Sequence, residues 1–175
     1  IYKEHGDFPT IESDITFYAV FAQEGTGDGS GTATETDVLN RDLTGISNGS
    51  GYGSWSEKTA TSAAVYAGNS AGGNNSIQLR SNNDNSGIIT TASGGKAKKV
   101  TVVWNSETLS GRTLDIYGKN SAYSAATDLY GANAGTLIGS ITYNTSTTLT
   151  IDGDYEFIGL RSNSGAMYLT SISIT

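Results

Sequence analysis

Apolar and polar residues alternate in short runs along most of this chain, and the alternation has the period of two that puts neighbouring side chains on opposite faces of a strand. From Lys99 to Asn105, Val100, Val102 and Trp104 fall on one face and Thr101 and Val103 on the other, and the position in mid-chain predicts a central strand. Comparable runs are Ala64 to Ala67, Ser76 to Ser81, Gly87 to Thr91, Thr113 to Lys119, Thr136 to Tyr143, Thr147 to Ile151, Tyr155 to Arg161 and Tyr168 to Ile174. Val38 to Leu43 reads as a short strand or a helical turn. Turn residues separate the runs at Asn82 to Gly87, Ser93 to Gly95, Ser110 to Gly111, Asp152 to Asp154 and Asn163 to Gly165. Ser121 to Gly135 has enough alanine for a helical turn and is expected to be a structured loop. Many short strands with regular turns predict an all-β fold, an antiparallel β-sandwich of the jelly-roll kind.

One run differs from the rest. Ile15 to Ala22, ITFYAVFA, is apolar on both faces, with Ile15, Phe17, Ala19 and Phe21 on one and Tyr18, Val20 and Ala22 on the other. A strand of that kind has to be covered on both sides. The glycine-rich stretch Glu24 to Gly31, EGTGDGSG, follows at once and has the composition of a flexible linker. The expected organisation is therefore an extension strand over 1–23, a hinge over 24–35 and a sandwich domain over 36–175.

Composition narrows the function classes. The 175 residues include 23 glycines, one proline and no cysteine, and 15% are charged, with a net charge of −7. An acidic chain lacks the basic patch that phosphate backbones require, so no nucleic-acid partner is expected. The dense basic run Lys96, Lys98 and Lys99 reads as a solvated flank of an apolar strand. No run of the sequence is long enough for a membrane-spanning helix, so no membrane insertion is expected. Without cysteine there is neither a disulfide scaffold nor thiol chemistry. The low charge and the abundance of Gly, Ser, Thr, Asn and Tyr suit an exported bacterial protein, extracellular or at the cell surface.

Two stretches echo each other: IQLRSN from Ile77 to Asn82 and IGLRSN from Ile158 to Asn163. Two copies are too few for a solenoid and mark equivalent strand-to-loop corners, with Arg80 and Arg161 at matching places. A structural role for both arginines, holding loop carbonyls or carboxylates, stands beside a ligand role. With these corners, the segments AVYAGNSAGGNNSIQLRSN, SGIITTASGG, KKVTVVW, GRTLDIYGKN and GDYEFIGLRSNSGAMYLTSISIT make Thr36 to Ile174 resemble a galactose-binding-like jelly-roll module of secreted and surface proteins of gut-type bacteria. The resemblance implies a sandwich and leaves activity open, because one sandwich serves unrelated ends. Separately, IESDITFYAVFA, from Ile11 to Ala22, is similar to the last strand of an internalin-type B-repeat.

Catalytic patterns are weak. GISNG, Gly45 to Gly49, and GNSAG, Gly68 to Gly72, match the serine-hydrolase spacing, yet neither precedes a recognisable helix and the sole histidine is His5. The carboxylates Glu107, Asp115, Asp128, Asp152, Asp154 and Glu156 are scattered over turns and strand edges. Asp152 with Asp154, or Asp84 among Asn82 to Asn85, offers loop oxygens of the kind calcium takes, without a recognised spacing. No other cofactor is expected. Aromatic residues beside amides suit a sugar ring and its hydroxyls, which makes Tyr52, Trp55, Tyr123 and Tyr130 candidate glycan contacts. Trp104 is expected in the core, and Tyr66, Tyr117, Tyr155 and Tyr168 are expected to pack on strands.

Two non-enzymatic functions follow. In the first, the chain is a structural or adhesive subunit that polymerises with other copies of itself into a surface filament, donating Ile15, Phe17, Tyr18, Val20 and Phe21 to a neighbour's sheet. In the second, it is a carbohydrate-binding module of a larger secreted or cell-surface protein.

Overall fold

The computed structural model describes residues 34–175. These form two antiparallel sheets packed face to face, an all-β sandwich. The expected extension over 1–23, with its self-assembly strand Ile15, Phe17, Tyr18, Val20 and Phe21, and nearly all of the hinge lie outside the described residues.

Eleven strands follow one another among the described residues: β1 Asp37–Asn40, β2 Gly53–Lys58, β3 Val65–Ser70, β4 Ile77–Leu79, β5 Gly87–Ala92, β6 Lys99–Trp104, β7 Thr113–Lys119, β8 Thr136–Thr142, β9 Thr148–Thr150, β10 Phe157–Ser162 and β11 Met167–Ile174. One sheet has the order β2-β3-β5-β10-β7-β8. The other has β1-β11-β6-β9, with β4 also paired to β11. Val38 to Leu43 resolves as both of its readings, because β1 runs directly into a helical turn, α1 Arg41–Thr44. Asn40 caps that turn by accepting from the Leu43 amide, and Gly45 ends it in the left-handed region at φ 74°.

Between the sheets the inward positions of each strand meet. Ile88, Leu114, Ile116, Ile158 and Leu160 of one sheet pack on Val100, Val102, Leu169 and Ile172 of the other. β6 is an internal strand between β11 and β9, with Val100 and Val102 buried, Trp104 half-buried against the core and Val103 52% exposed on the outside. In β11 the buried residues are Met167 and Leu169 and then Ile172 and Ile174. The parity switches because of a bulge between Leu169 and Ser171, where an extra residue re-aims the strand so that both halves face the core.

β2 is a strand that the alternation did not predict. GSWSEK has one large apolar residue, Trp55, and Glu57 sits at φ 56° inside it, where the β2–β3 register shifts. Tertiary pairing with β3 compensates for the weak local signal.

At the start of the domain, Asp37 fixes β1 to the β2–β3 loop. Its carboxylate accepts from the amides of Thr61 (2.8 Å) and Ser62 (2.7 Å), from Ser62 Oγ (2.6 Å) and from Tyr66 Oη (2.7 Å). Burial by itself would raise its pKa, but these hydrogen bonds outweigh it and hold the carboxyl below the usual 3.8.

Candidate functional site

The strand directions sort the cations. Arg41 follows the end of β1, Arg80 the end of β4, Arg112 precedes β7 and Arg161 is near the end of β10, so all four arginines gather at one end of the sandwich. Lys58 closes β2 and brings its Nζ beside Gly45 at the end of α1, while Lys96, Lys98, Lys99 and Lys119 lie at the opposite end. There Lys96 (3.1 Å) and Lys98 (3.8 Å) pair with Asp154, one of the loop carboxylates considered for calcium. No group of three metal-ligating side chains occurs among the described residues.

The two echoed corners meet at the arginine end. β4 and β10 belong to opposite sheets, yet both bury their leucine, Leu79 and Leu160, in the shared core and both turn outward at the arginine. The loops that follow are joined by the Gly165 amide donating to Ser81 Oγ at 2.6 Å. Nearby, Arg112 Nη1 donates to the Ser164 carbonyl. The echo in sequence therefore corresponds to a contact in space.

Around these corners the outer face of the six-stranded sheet carries two rows of side chains. One row is apolar: Ala67, Ile89, Gly159, Tyr117 and Leu137 stand opposite one another on successive strands. The loop over 121–135, as expected, is structured, with a 3-10 turn over Ala126–Tyr130. It lays Tyr123 and Leu129 over this row. Gly159 makes that approach feasible, since a Cβ there would stand 2.3 Å from a Leu129 methyl. Asp128 tightens the loop by accepting from the amides of Ser124 (2.7 Å) and Ala125 (3.3 Å).

The second row is polar. Ser54, Asn69 and Gly87 face one another, and Arg161, Asp115 and Ser140 continue across the sheet, Gly87 lying beside the Arg161 side chain. Arg161 and Asp115 are directly opposite, yet no ion pair forms between them. Asp115, 4% exposed, has its Oδ1 occupied by Ser140 Oγ (2.6 Å) and Asn163 Nδ2 (2.7 Å). The Arg161 guanidinium instead lies 4.8 Å from the centre of the Tyr130 ring and 5.2 Å from that of Tyr117, and Nη2 donates to Tyr117 Oη at 2.8 Å. Arg80 stacks on Tyr52 with its Cζ 3.6 Å from the ring centre. Such contacts are worth about 0.5–2 kcal/mol each, depending on desolvation. Neither guanidinium has a carboxylate within salt-bridge reach among the described residues, and the Nε of each is buried without an acceptor.

Tyr130 links the two corners, donating to the Ser86 carbonyl at 2.6 Å and lying 3.5 Å from the Arg80 carbonyl. Burial raises its pKa, while the charges of Arg161 and Arg80 pull it down and Asp84 pushes it up, so both cations are felt at one phenol. Burial pushes the Tyr52 phenol up to about 12, with the Arg80 charge opposing. Both phenols stay neutral at physiological pH, Tyr130 as a donor and Tyr52 with its hydroxyl buried and without a partner.

Of the four candidate glycan contacts, Tyr52 and Tyr130 come together here and are half-buried. The other two are packing residues. Trp55 is 7% exposed, joins the inter-sheet core and donates its indole N–H to Ser70 Oγ at 3.0 Å. Tyr123 is 2% exposed, its hydroxyl donates to the Ala134 carbonyl at 2.7 Å and Lys119 Nζ lies over its ring at 3.9 Å. Neither leaves a ring face for a sugar. An indole in a polar run reads locally as exposed, and only the pairing of β2 turns it inward. Tyr66 and Tyr117 are buried on strands as expected, and Tyr155 and Tyr168 are half-buried. Ser70 of GNSAG is wholly buried in β3 with that indole as partner, so it is not presented on a nucleophile turn. Asn69 escaped sequence reasoning as a member of the site and Asp115 was visible only as one of several scattered carboxylates, because nothing local distinguishes an outward strand position that others surround.

Comparison with family models, with curated proteins and with solved structures returns no match to this chain.

Proposed function

We propose that the sandwich is a non-enzymatic, extracellular carbohydrate-binding module of the jelly-roll kind, and that it takes saccharide at the arginine end through Tyr52, Tyr130, Arg80 and Arg161. The observation that carries this reading is the convergence of two half-buried tyrosines and two guanidiniums, without carboxylate partners, from segments far apart in the chain. A sugar offers apolar ring faces to aromatic groups and hydroxyls to arginine and amide groups, which is the mixture assembled here. Screening the full chain on a glycan array tests it. A specific hit that Tyr130→Ala and Tyr52→Ala each weaken by about tenfold, equivalent to ~1.4 kcal/mol, is expected. Binding unchanged in both variants, or no hit at all, would overturn it.

A second reading, self-assembly into a surface filament, rests on a different observation. β1 pairs with β11 on one side and with no described strand on the other. An open edge of that kind accepts an added strand through its main-chain groups. The donor would be Ile15 to Ala22 of another copy, with Phe17 and Phe21 on one face and Tyr18 and Val20 on the other. Electron micrographs of purified chain should show filaments, and deletion of 1–23 should abolish them. Filaments that survive the deletion would exclude this mode of assembly.

A further inference from the structure

Resting on the carbohydrate reading above, we infer that the saccharide taken at the arginine end is acidic, a uronic-acid sugar whose carboxylate is held by Arg161 and Arg80. The inference comes from the polar row. Arg161 and Asp115 occupy facing positions on neighbouring strands, the arrangement in which an arginine and a carboxylate would ordinarily pair. Here one carboxylate oxygen, Oδ1, takes a hydroxyl and an amide, from Ser140 and Asn163, and the guanidinium is turned to Tyr117 and Tyr130. A half-buried cation kept apart from the nearest carboxylate is a cation reserved for another anion. Arg80 reaches the same place by a separate route: its guanidinium is stacked on Tyr52, and the Asn83 side-chain amide lies 2.9 Å from its Nη2, an acceptor there when the amide is turned to satisfy both of its ends.

Arginine in preference to lysine suits this role, because a planar fork matches a carboxylate with two parallel hydrogen bonds whereas an ammonium offers a point charge. The separation of arginines from most of the lysines along the sandwich follows the same division. At this end the four arginines face four carboxylates, Asp42 paired with Arg41, Asp84, whose charge reaches Tyr130, Glu107 of the β6–β7 loop and Asp115. Bulk charge therefore does not assign retention of an acidic polymer to this end, and the arginine and lysine variants carry that assignment.

The test is affinity electrophoresis of the full chain in gels holding polygalacturonic acid, its fully methyl-esterified form, dextran sulfate or a neutral galactan. The expected result is retardation by polygalacturonic acid alone. Arg161→Gln and Arg80→Gln should each weaken it about tenfold, Arg161→Lys should restore only part, and Lys96→Gln with Lys98→Gln should leave it unchanged. Thermal melts identify any arginine variant that fails to fold, in which case Arg161→Lys carries the test. Retardation by neutral galactan or by the esterified polymer that persists in the arginine variants would overturn the acidic class while leaving saccharide binding in place. Stronger retardation by dextran sulfate would overturn the carboxylate assignment. Retardation lost in the lysine variant would overturn the location. A chain retarded by none of the four, yet giving a neutral-sugar hit on the array, would overturn this inference alone. Silence in both would overturn both.

Discussion

The two outer faces of the sandwich are built from the same alternating pattern and have different fates. On the five-stranded sheet, Val38, Ser173, Thr101 and Thr148 face one another across four strands, with Asn40, Ser171 and Val103 in the next row. This surface is made of small hydroxyl-bearing residues, with Thr101 and Thr148 hydroxyls 3.2 Å apart and Val38 and Val103 exposed. On the six-stranded sheet, the matching face carries glycines, tyrosines and an arginine, and the loop over 121–135 lies on part of it. The lesson is that a covered face needs room as well as apolar groups. Gly159 and Gly87 provide the room, since a Cβ at either would stand within about 2.5 Å of Leu129, and no glycine interrupts the corresponding rows of the other sheet.

The comparison can be broken first at what both faces depend on. Leu160→Ala removes a wholly buried side chain from the inter-sheet core and should cost about 2–5 kcal/mol in urea unfolding. Asp37→Asn, which weakens the staple between β1 and the β2–β3 loop, should cost about 1–3 kcal/mol. It should also change the acid response. The Asp37 pKa is lowered in the fold, so its contribution is complete above the unfolded value near 3.8 and is lost as pH falls through the lower folded value. The native chain should therefore lose stability below about pH 4 more steeply than the variant, and equal slopes would show that the carboxylate is not what links β1 to Tyr66.

Smaller changes sharpen the difference between the faces. Leu129→Ala should destabilise by about 2 kcal/mol, since this small cluster can partly collapse, and should expose the loop over 121–135 to limited proteolysis while the sheets remain folded. Global unfolding at the same protease concentration would mean that the loop is part of the sandwich core and not an added layer. Val103→Thr, on the uncovered face, should stay within about 0.5 kcal/mol of the native chain.

Much of the fold could be read along the chain because strand formation leaves a local trace. β7 was predicted residue for residue and β6, β8, β10 and β11 to within two at either end, since each is a run of six or more residues bounded by turn signals. β2 escaped for the opposite reason: one indole among small and charged residues carries no period. The bulge in β11 also escaped, because Met167, Leu169, Ile172 and Ile174 break the alternation without breaking the strand. At the site, Tyr52 and Tyr130 were legible as aromatic residues among turn signals, and the LRSN echo pointed to Arg80 and Arg161. Trp55 and Tyr123 have the same local character and pack inward.

By itself, then, the sequence determined an all-β sandwich, where most strands begin and end, and which side of most of them is apolar. All of these follow from backbone sterics and the period of two, which act between near neighbours. Only the tertiary structure decided that four scattered arginines share one end and that the two echoed corners touch. It also decided that Arg161 faces Asp115 without pairing and that a loop covers one outer face and not the other. These depend on strand order and on register across sheets, set by how whole strands bury their apolar faces together, and no window of the sequence contains that information.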